Sequence, residues 1–392
     1  MRGIGLGSKD GTGAEFFREK GQGLPFLPDN YCKNNFKHKV APMKLHSIIL
    51  TLIAGCVMGW MTTSCTRYIT AASPPGLHDG KYDSSFPFGN DTDALEKIVA
   101  SVRLLNAVAH YKQYDFSRAQ EISPSQFTGD FLKKHADQQY VSQDFAVGTA
   151  TVIYADRNRI AVLTCAHVVN FPDTVITYYI LPDGSADSLI RSVAIKTKER
   201  IHLSDLRQGE NLKILAMDTD LDVAVLGKEF VYHPPKTMPV LPVPPGKARE
   251  LHWGNFVYVI GFPAGKKMIT RGIISNPNRG TRHGFLVDAL FNRGFSGGIV
   301  LALRDGVPNF ELVGIVNSVS AETEVKLAPE SGIDQSLVDS NIPYTGNIYL
   351  RTQKNINYGI SFGISIEAIR DFIREHSIEL ENAGYHLAKF LK

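Results

Sequence analysis

From about Phe145 onward, apolar residues fall in short β-rich runs separated by turn residues. The runs Ala146–Tyr154, Ile160–Thr164, Thr174–Leu181, Leu212–Met217 and Val223–Leu226 predict strands. A second set covers Phe256–Gly261, Met268–Ser275, Phe285–Leu290, Ile299–Leu303 and Leu312–Ser318. Between the sets, His233–Pro245 is too dense in proline for a central strand and divides two similar halves. Many short strands in two sets predict an all-β chain of sandwiches or barrels. The period lengthens at both ends. Thr92 or Asp93 caps a predicted helix whose apolar positions Leu95, Ile98, Val99, Val102, Leu105 and Val108 recur about every 3.6 residues. Ser365 caps a second, amphipathic helix through Ile366, Ile369, Phe372 and Ile373, and another helical stretch follows towards Lys392. Residues 66–90, rich in Ser, Pro, Gly and Asp, read as a tether. The segment from Val319 to Asn355 is long, polar and irregular.

One apolar stretch fits neither period. Leu45 to Thr66 lacks Lys, Arg, Asp and Glu and follows Lys44, the order of a secretory signal. Met43-Lys44 opens that pattern, so residues 1–42 are expected to be a start-site over-call and 43–65 the leader. The alternative keeps Met1 and makes residues 45–61 a signal anchor, slightly short for the ~20 residues that span a bilayer. Two cysteines stand where a bacterial lipoprotein signal places its lipidated residue. Ile53-Ala-Gly-Cys56 fits better by residue type, and Thr62-Thr-Ser-Cys65 by leader length. Cys65 is the preferred candidate; a plain cleaved signal ending near Ser64 or Ala71 is the third reading. Each version exports the folded part, on a lipid or signal-anchor membrane tether or free of it.

Composition narrows the picture by exclusion. Lys and Arg total 42 against 39 Asp and Glu, a net charge of +3 that gives no reason to expect nucleic acid. Four cysteines at 32, 56, 65 and 165, without C-x-x-C spacing, exclude a disulfide scaffold and a thiolate zinc site.

Candidate chemistry begins at Gly294-Phe-Ser-Gly-Gly298, a tight turn between strand-like runs. Glycines around a serine let backbone amides approach a substrate, so the N–H groups of Gly294 and Ser296 are candidates for an oxyanion hole. A serine hydroxyl needs a base. His167, in Leu163-Thr-Cys-Ala-His-Val-Val169 directly after a buried-looking strand, is the candidate among twelve histidines. Asp222, heading the strand Val223–Leu226, is the acid to orient it, whereas Asp218 and Asp220 read as solvated turn residues. His167 and Asp222 fall in the first half and Ser296 in the second, which suits a cleft between two barrels.

Eight motifs then occur in a fixed order: Gly148–Ile153, Leu163–Val169, Asp222–Leu226, Ile260–Pro263, Thr270–Ser275, Asp288-Ala289, Gly294–Gly298 and Val313–Val316. Together they resemble the trypsin-fold serine proteases of the HtrA (Deg) type over about residues 140–376. Tyr358–Ile364 is similar to that family's final strand. The resemblance implies an all-β fold of two six-stranded antiparallel β-barrels, with a peripheral N-terminal helix and C-terminal helices. Residues 66–139 would hold the tether and N-terminal helix, 140–236 the first barrel, and 247–376 the second with an insertion at 319–355. A helical tail, 377–392, completes the chain. His167 would be the general base, Asp222 its orienter and Ser296 the nucleophile of an exported serine endopeptidase acting on unfolded or extended envelope proteins. No metal or organic cofactor is implied, and homo-oligomers, trimers especially, are common among such relatives.

Departures from the family pattern also carry information. Relatives often add PDZ domains, and the 16 residues after His376 have no room for one. Phe295 replaces the polar residue usual before the nucleophile, so activation by pairing with a freed N-terminus is closed to this chain. Arg293 stands where proline is common, and Cys165, where asparagine is common, reads as a buried packing residue. The primary pocket floor would come from Leu290 and Phe291; without an acid there, small or medium aliphatic side chains are preferred over Lys or Arg. The 319–355 insertion would gate or extend the cleft, or lie on the surface as a disordered insertion. The rival to a peptidase is a catalytically inactive trypsin-fold scaffold of the envelope, its oxyanion loop collapsed around Arg293 and Phe295.

Overall fold

Short apolar strands leave one face to bury and two edges to satisfy, and the chain resolves both needs by curling two antiparallel sheets. The computed structural model describes residues 78–87, 92–126, 129–181, 183–206, 211–231, 238–289, 292–329 and 342–392. The side chains of residues 318–323 and 354–360 are not described. All these residues belong to one unit, Ala71–Lys392.

The first sheet holds β1 (Val102–Asp115), β2 (Gln138–Ala155), β3 (Arg159–Thr164), β4 (Thr174–Ile180), β5 (Ala186–Leu203), β6 (Lys213–Asp218) and β7 (Val223–Glu229). They run in the order β4-β5-β1-β2-β3-β7-β6. The second set is β8 (Phe256–Gly261), β9 (Met268–Arg279), β10 (Gly284–Asp288), β11 (Ile299–Leu303), β12 (Phe310–Pro329) and β13 (Ile348–Ser365). These six close into a barrel. The fold is the expected all-β one, with a seven-stranded sheet in the first half in place of a six-stranded barrel.

The extra strands come from segments that the sequence pattern disguised. Helix α1 (Thr92–Val99) stops where Ser101 intervenes, its Oγ donating to the Ile98 carbonyl. The predicted continuation through Val102, Leu105 and Val108 is instead β1, paired with β2 from Val102↔Thr151 to Asp115↔Gln138. Leu105, Ala107, Ala109 and Tyr111 are buried on one face of β1, the period of a strand. Tertiary pairing on both sides, β2 and β5, overrides a local pattern that also fits a helix.

Within the 319–355 segment, residues 319–329 and 348–355 are likewise not irregular. Strands β12 and β13 remain paired out to Pro329↔Ile348, forming a hairpin arm. The register puts Val325, Leu327 and Leu350 on one face, all exposed, and Glu324, Lys326 and Arg351 on the other. Part of the presumed tether is docked as well. Tyr82, 4% exposed, donates to Glu311 Oε2 (2.7 Å), accepts from the Lys247 amide (2.8 Å), and lies under the Arg304 guanidinium. Burial, and then the bond to Glu311, push its hydroxyl well above the ordinary tyrosine range. Its neighbour Asp83 bonds through its backbone to Leu303 and Phe256, so residues 82–83 form a strap across β8 and β11.

At the C-terminal end, beyond α2 (Gly129–His135), helix α3 (Ile366–Glu375) is capped as expected, Ser365 Oγ accepting from the Ala368 amide. It buries Ile366, Ile369, Phe372 and Ile373 in the main core. Among the described residues no helix is long and apolar enough to cross a membrane. The apolar stretch 45–61, Cys56 and Cys65 lie outside the described residues.

Candidate active site

β3 is buried along most of its length and ends at Thr164, where the chain turns through Cys165, Ala166 and His167. Cys165, Ala166, Val168 and Val169 are buried, so the turn is anchored on both sides of a half-exposed His167 side chain. Opposite stands Asp222 at the head of β7, with φ +62°. Asp218 builds that turn by accepting the amides of Asp220 (2.9 Å) and Leu221 (2.8 Å).

Asp222 grips His167 twice. One carboxylate oxygen accepts the His167 backbone amide at 2.8 Å, and the other faces Nδ1 at 2.7 Å. A carboxylate accepts, so Nδ1 is the donor of this pair, and in the neutral imidazole Nε2 then keeps its lone pair. Beneath the pair, the fully buried Cys165 Sγ donates to the Val316 carbonyl at 3.1 Å. Burial, reinforced by Asp222, raises the thiol well above its usual range, so Cys165 packs as a neutral group. The donor atoms of Cys165, His167 and Asp222 lie within 4.8 Å of one another, but thiol and imidazole are committed to these hydrogen bonds.

The Ser296 turn is shaped by backbone contacts that admit only glycine at two positions. Gly294 has φ +103°, and a Cβ there would lie 2.2 Å from the Phe262 carbonyl. Gly297 has φ +82°, and its Cβ would lie 2.2 Å from the Thr149 carbonyl. The Arg293 carbonyl accepts from the Ala264 amide (2.8 Å), and the Gly294 carbonyl from Thr149 Oγ1 (2.7 Å). A peptide's N–H points opposite to its C=O. Anchoring the Arg293 carbonyl on Ala264 therefore turns the Gly294 N–H the other way. Among the described residues, neither the Gly294 nor the Ser296 amide has an acceptor.

Thr149 is the residue whose role sequence reasoning missed. Fully buried, it donates its amide to the Ser296 carbonyl (2.8 Å) and its hydroxyl to the Gly294 carbonyl. The same hydroxyl accepts the Phe262 amide (2.9 Å), and the Thr149 carbonyl accepts Thr164 Oγ1 (2.8 Å). It thus ties the first sheet to the serine loop. Phe295, 2% exposed, packs close to Gly261. No hydrogen bond joins Ser296 Oγ to His167 among the described residues, a looseness common in unliganded catalytic sites. Leu290 and Phe291 lie outside the described residues.

Residues 148–315 match the family model of the trypsin-like peptidase domain. The chain carries a trypsin-like peptidase domain. No curated protein sequence matches it. Among solved structures, the peptidase chain is similar to an HtrA-type protease, AlgW, with tripeptide, at 17% identity and a TM-score of 0.37. That alignment covers 74% of this chain and 65% of the other. A variant of AlgW with tripeptide aligns at 16% identity and a TM-score of 0.36, over 75% and 63%. The chain thus spans a little under two thirds of the length of both.

Proposed function

We propose that the peptidase domain is an active serine endopeptidase. Ser296 attacks the peptide carbonyl, His167 Nε2 takes its proton and later gives it to the leaving amine, and Asp222 holds the imidazole in the productive tautomer. The N–H groups of Gly294 and Ser296 stabilise the tetrahedral oxyanion. The acyl-enzyme is then released by water activated at His167. The observation that carries this reading is the Arg293 carbonyl anchored on Ala264, which turns the Gly294 amide away from it; among the described residues neither that amide nor the Ser296 amide has an acceptor, and a His–Asp pair is in place. An inactive scaffold would need that loop collapsed, and the geometry supports the open form. The test is labelling of the purified protein with a fluorophosphonate probe. Wild type is expected to label and Ser296→Ala to remain unlabelled; folded wild type that never labels would return the scaffold reading.

Substrates in this reading are unfolded or extended polypeptides of a bacterial cell envelope. The leader-like pattern of residues 45–66 supports export, in the periplasm or as an outer-membrane lipoprotein anchored at Cys65. More than one acyl chain, each buried methylene adding ~0.8 kcal/mol, would make such an anchor durable. Feeding cells a labelled fatty acid should mark the wild-type protein and leave Cys65→Ser unmarked. Label retained in Cys65→Ser but lost in Cys56→Ser would move the anchor. Leu290 and Phe291 would give the primary pocket an apolar floor.

A further inference from the structure

Over its outer length strand β2 is paired on one side only. It pairs with β1 along its whole outer length, from Gln138 to Thr151, without a register shift. On its other side β3 covers only Thr151 to Ala155. From Val147 back to Gln139, that second edge has no partner strand among the described residues. An open edge of this kind is a template for another extended chain.

Its orientation follows from Thr149. The Thr149 amide points away from β1, to the Ser296 carbonyl, and its carbonyl accepts Thr164 Oγ1 on the same side. Backbone groups of a strand alternate direction with period two. The N–H and C=O of Val147, Phe145, Gln143 and Val141 therefore face the open edge, in line with Ser296. The same residues share one face, on which Phe145 is 73% and Val141 70% exposed. The edge has one guard: the Phe145 amide donates to the Asp144 carboxylate at 2.9 Å, a contact an incoming backbone carbonyl would replace.

We propose that residues 139–147 of β2 form an extended docking edge for substrate polypeptide, capturing the segment C-terminal to the scissile bond by antiparallel strand addition. Direction fixes which segment it is. β2 runs towards Ser296, so a strand antiparallel to it runs away from Ser296, as the chain downstream of the cleaved bond must. Gly148, against which Val168 packs next to His167, places the start of this edge on the side where the leaving amine is protonated. Nine edge residues, at about 3.4 Å each, offer roughly 30 Å of backbone pairing. Affinity would come from the main chain, and sequence preference from the exposed face carrying Val141, Phe145 and Val147. Extended, unfolded chains meet these requirements, and a folded loop too short to reach along the edge does not.

The inference rests on the endopeptidase reading, and the experiment separates the two. One internally quenched peptide is extended by two, four, six or eight residues, either upstream or downstream of the cleaved bond. Downstream extension is expected to raise kcat/KM about tenfold or more, and upstream extension of equal length to raise it less. N-methylation at alternate downstream residues, on the edge-facing amides, should remove the gain, whereas methylation of the intervening ones should not. Gln143→Pro deletes an edge N–H without touching the β1 ladder, and should abolish the gain while preserving cleavage of the shortest peptide. Equal gains upstream and downstream, or gains indifferent to N-methylation, would overturn the docking edge while leaving the peptidase intact. Failure to cleave any peptide, together with failure to label Ser296, would overturn the endopeptidase reading and the docking edge with it.

Discussion

Asp222→Asn is expected to lower kcat by about 10⁴-fold while leaving the fold in place. The aspartate sits at φ +62°, a left-handed conformation that asparagine tolerates better than other side chains. An asparagine oxygen can still accept the His167 backbone amide. Its NH₂, however, would face Nδ1 across the present 2.7 Å contact, and an amide N–H needs a lone pair there. The imidazole proton would be forced onto Nε2, the atom required as base. Steady-state kinetics on a peptide substrate, with circular dichroism to check the fold, measures this. A loss of less than tenfold in a folded variant would remove Asp222 from the orienting role.

Gly294→Ala attacks the proposed oxyanion loop directly, and kcat should fall by about 10²–10³-fold or more. The added methyl would stand 2.2 Å from the Phe262 carbonyl, in a backbone conformation unfavourable to L side chains. The loop must shift, and with it the amide aimed at the cleft. Comparison with Thr149→Val isolates the cause, because that change removes the hydroxyl holding the Gly294 carbonyl without adding bulk in the loop. Both variants should lower kcat more than they raise KM, since the oxyanion exists only after attack. A rise in KM at unchanged kcat would place the loop in substrate binding instead.

The parts of this molecule legible in the sequence are those whose constraint is local. Strands Phe256–Gly261 and Ile299–Leu303 are uninterrupted apolar runs bounded by turns, and their limits in the structure are the expected ones. Helix α3 announces itself through a cap and a buried stripe. β1 does not, because Leu95 to Val108 satisfies a helical period and only its partners β2 and β5 select the strand. The hairpin arm was hidden because its cross-strand register joins residues on either side of a long polar segment. The same division runs through the site. His167 and Asp222 carry motifs around themselves, and the structure brings them into contact. Ser296 carries one too, but the partnership proposed for it with His167 rests on the loop it occupies, and no hydrogen bond joins the two among the described residues. Thr149 has an ordinary strand neighbourhood; its importance lies in contacts 145 positions away, which composition and spacing do not encode.

The strap at Tyr82 and Asp83 has a mechanical consequence. It is clamped to β8 and β11, in the barrel whose β11 directly follows the Ser296 turn, before the chain passes to α1 and the first sheet. A pull arriving along the N-terminal chain would therefore meet the bonds of Gly80 to Asp305 and Arg304, and then the cluster of Tyr82, Glu311 and Arg304. The backbone bonds of Asp83 to Leu303 and Phe256 would share that tension. β1, which is fastened to β2, would feel strain only after the strap had yielded. In an anchored peptidase, such an arrangement keeps traction on the anchor away from the strand that carries Thr149.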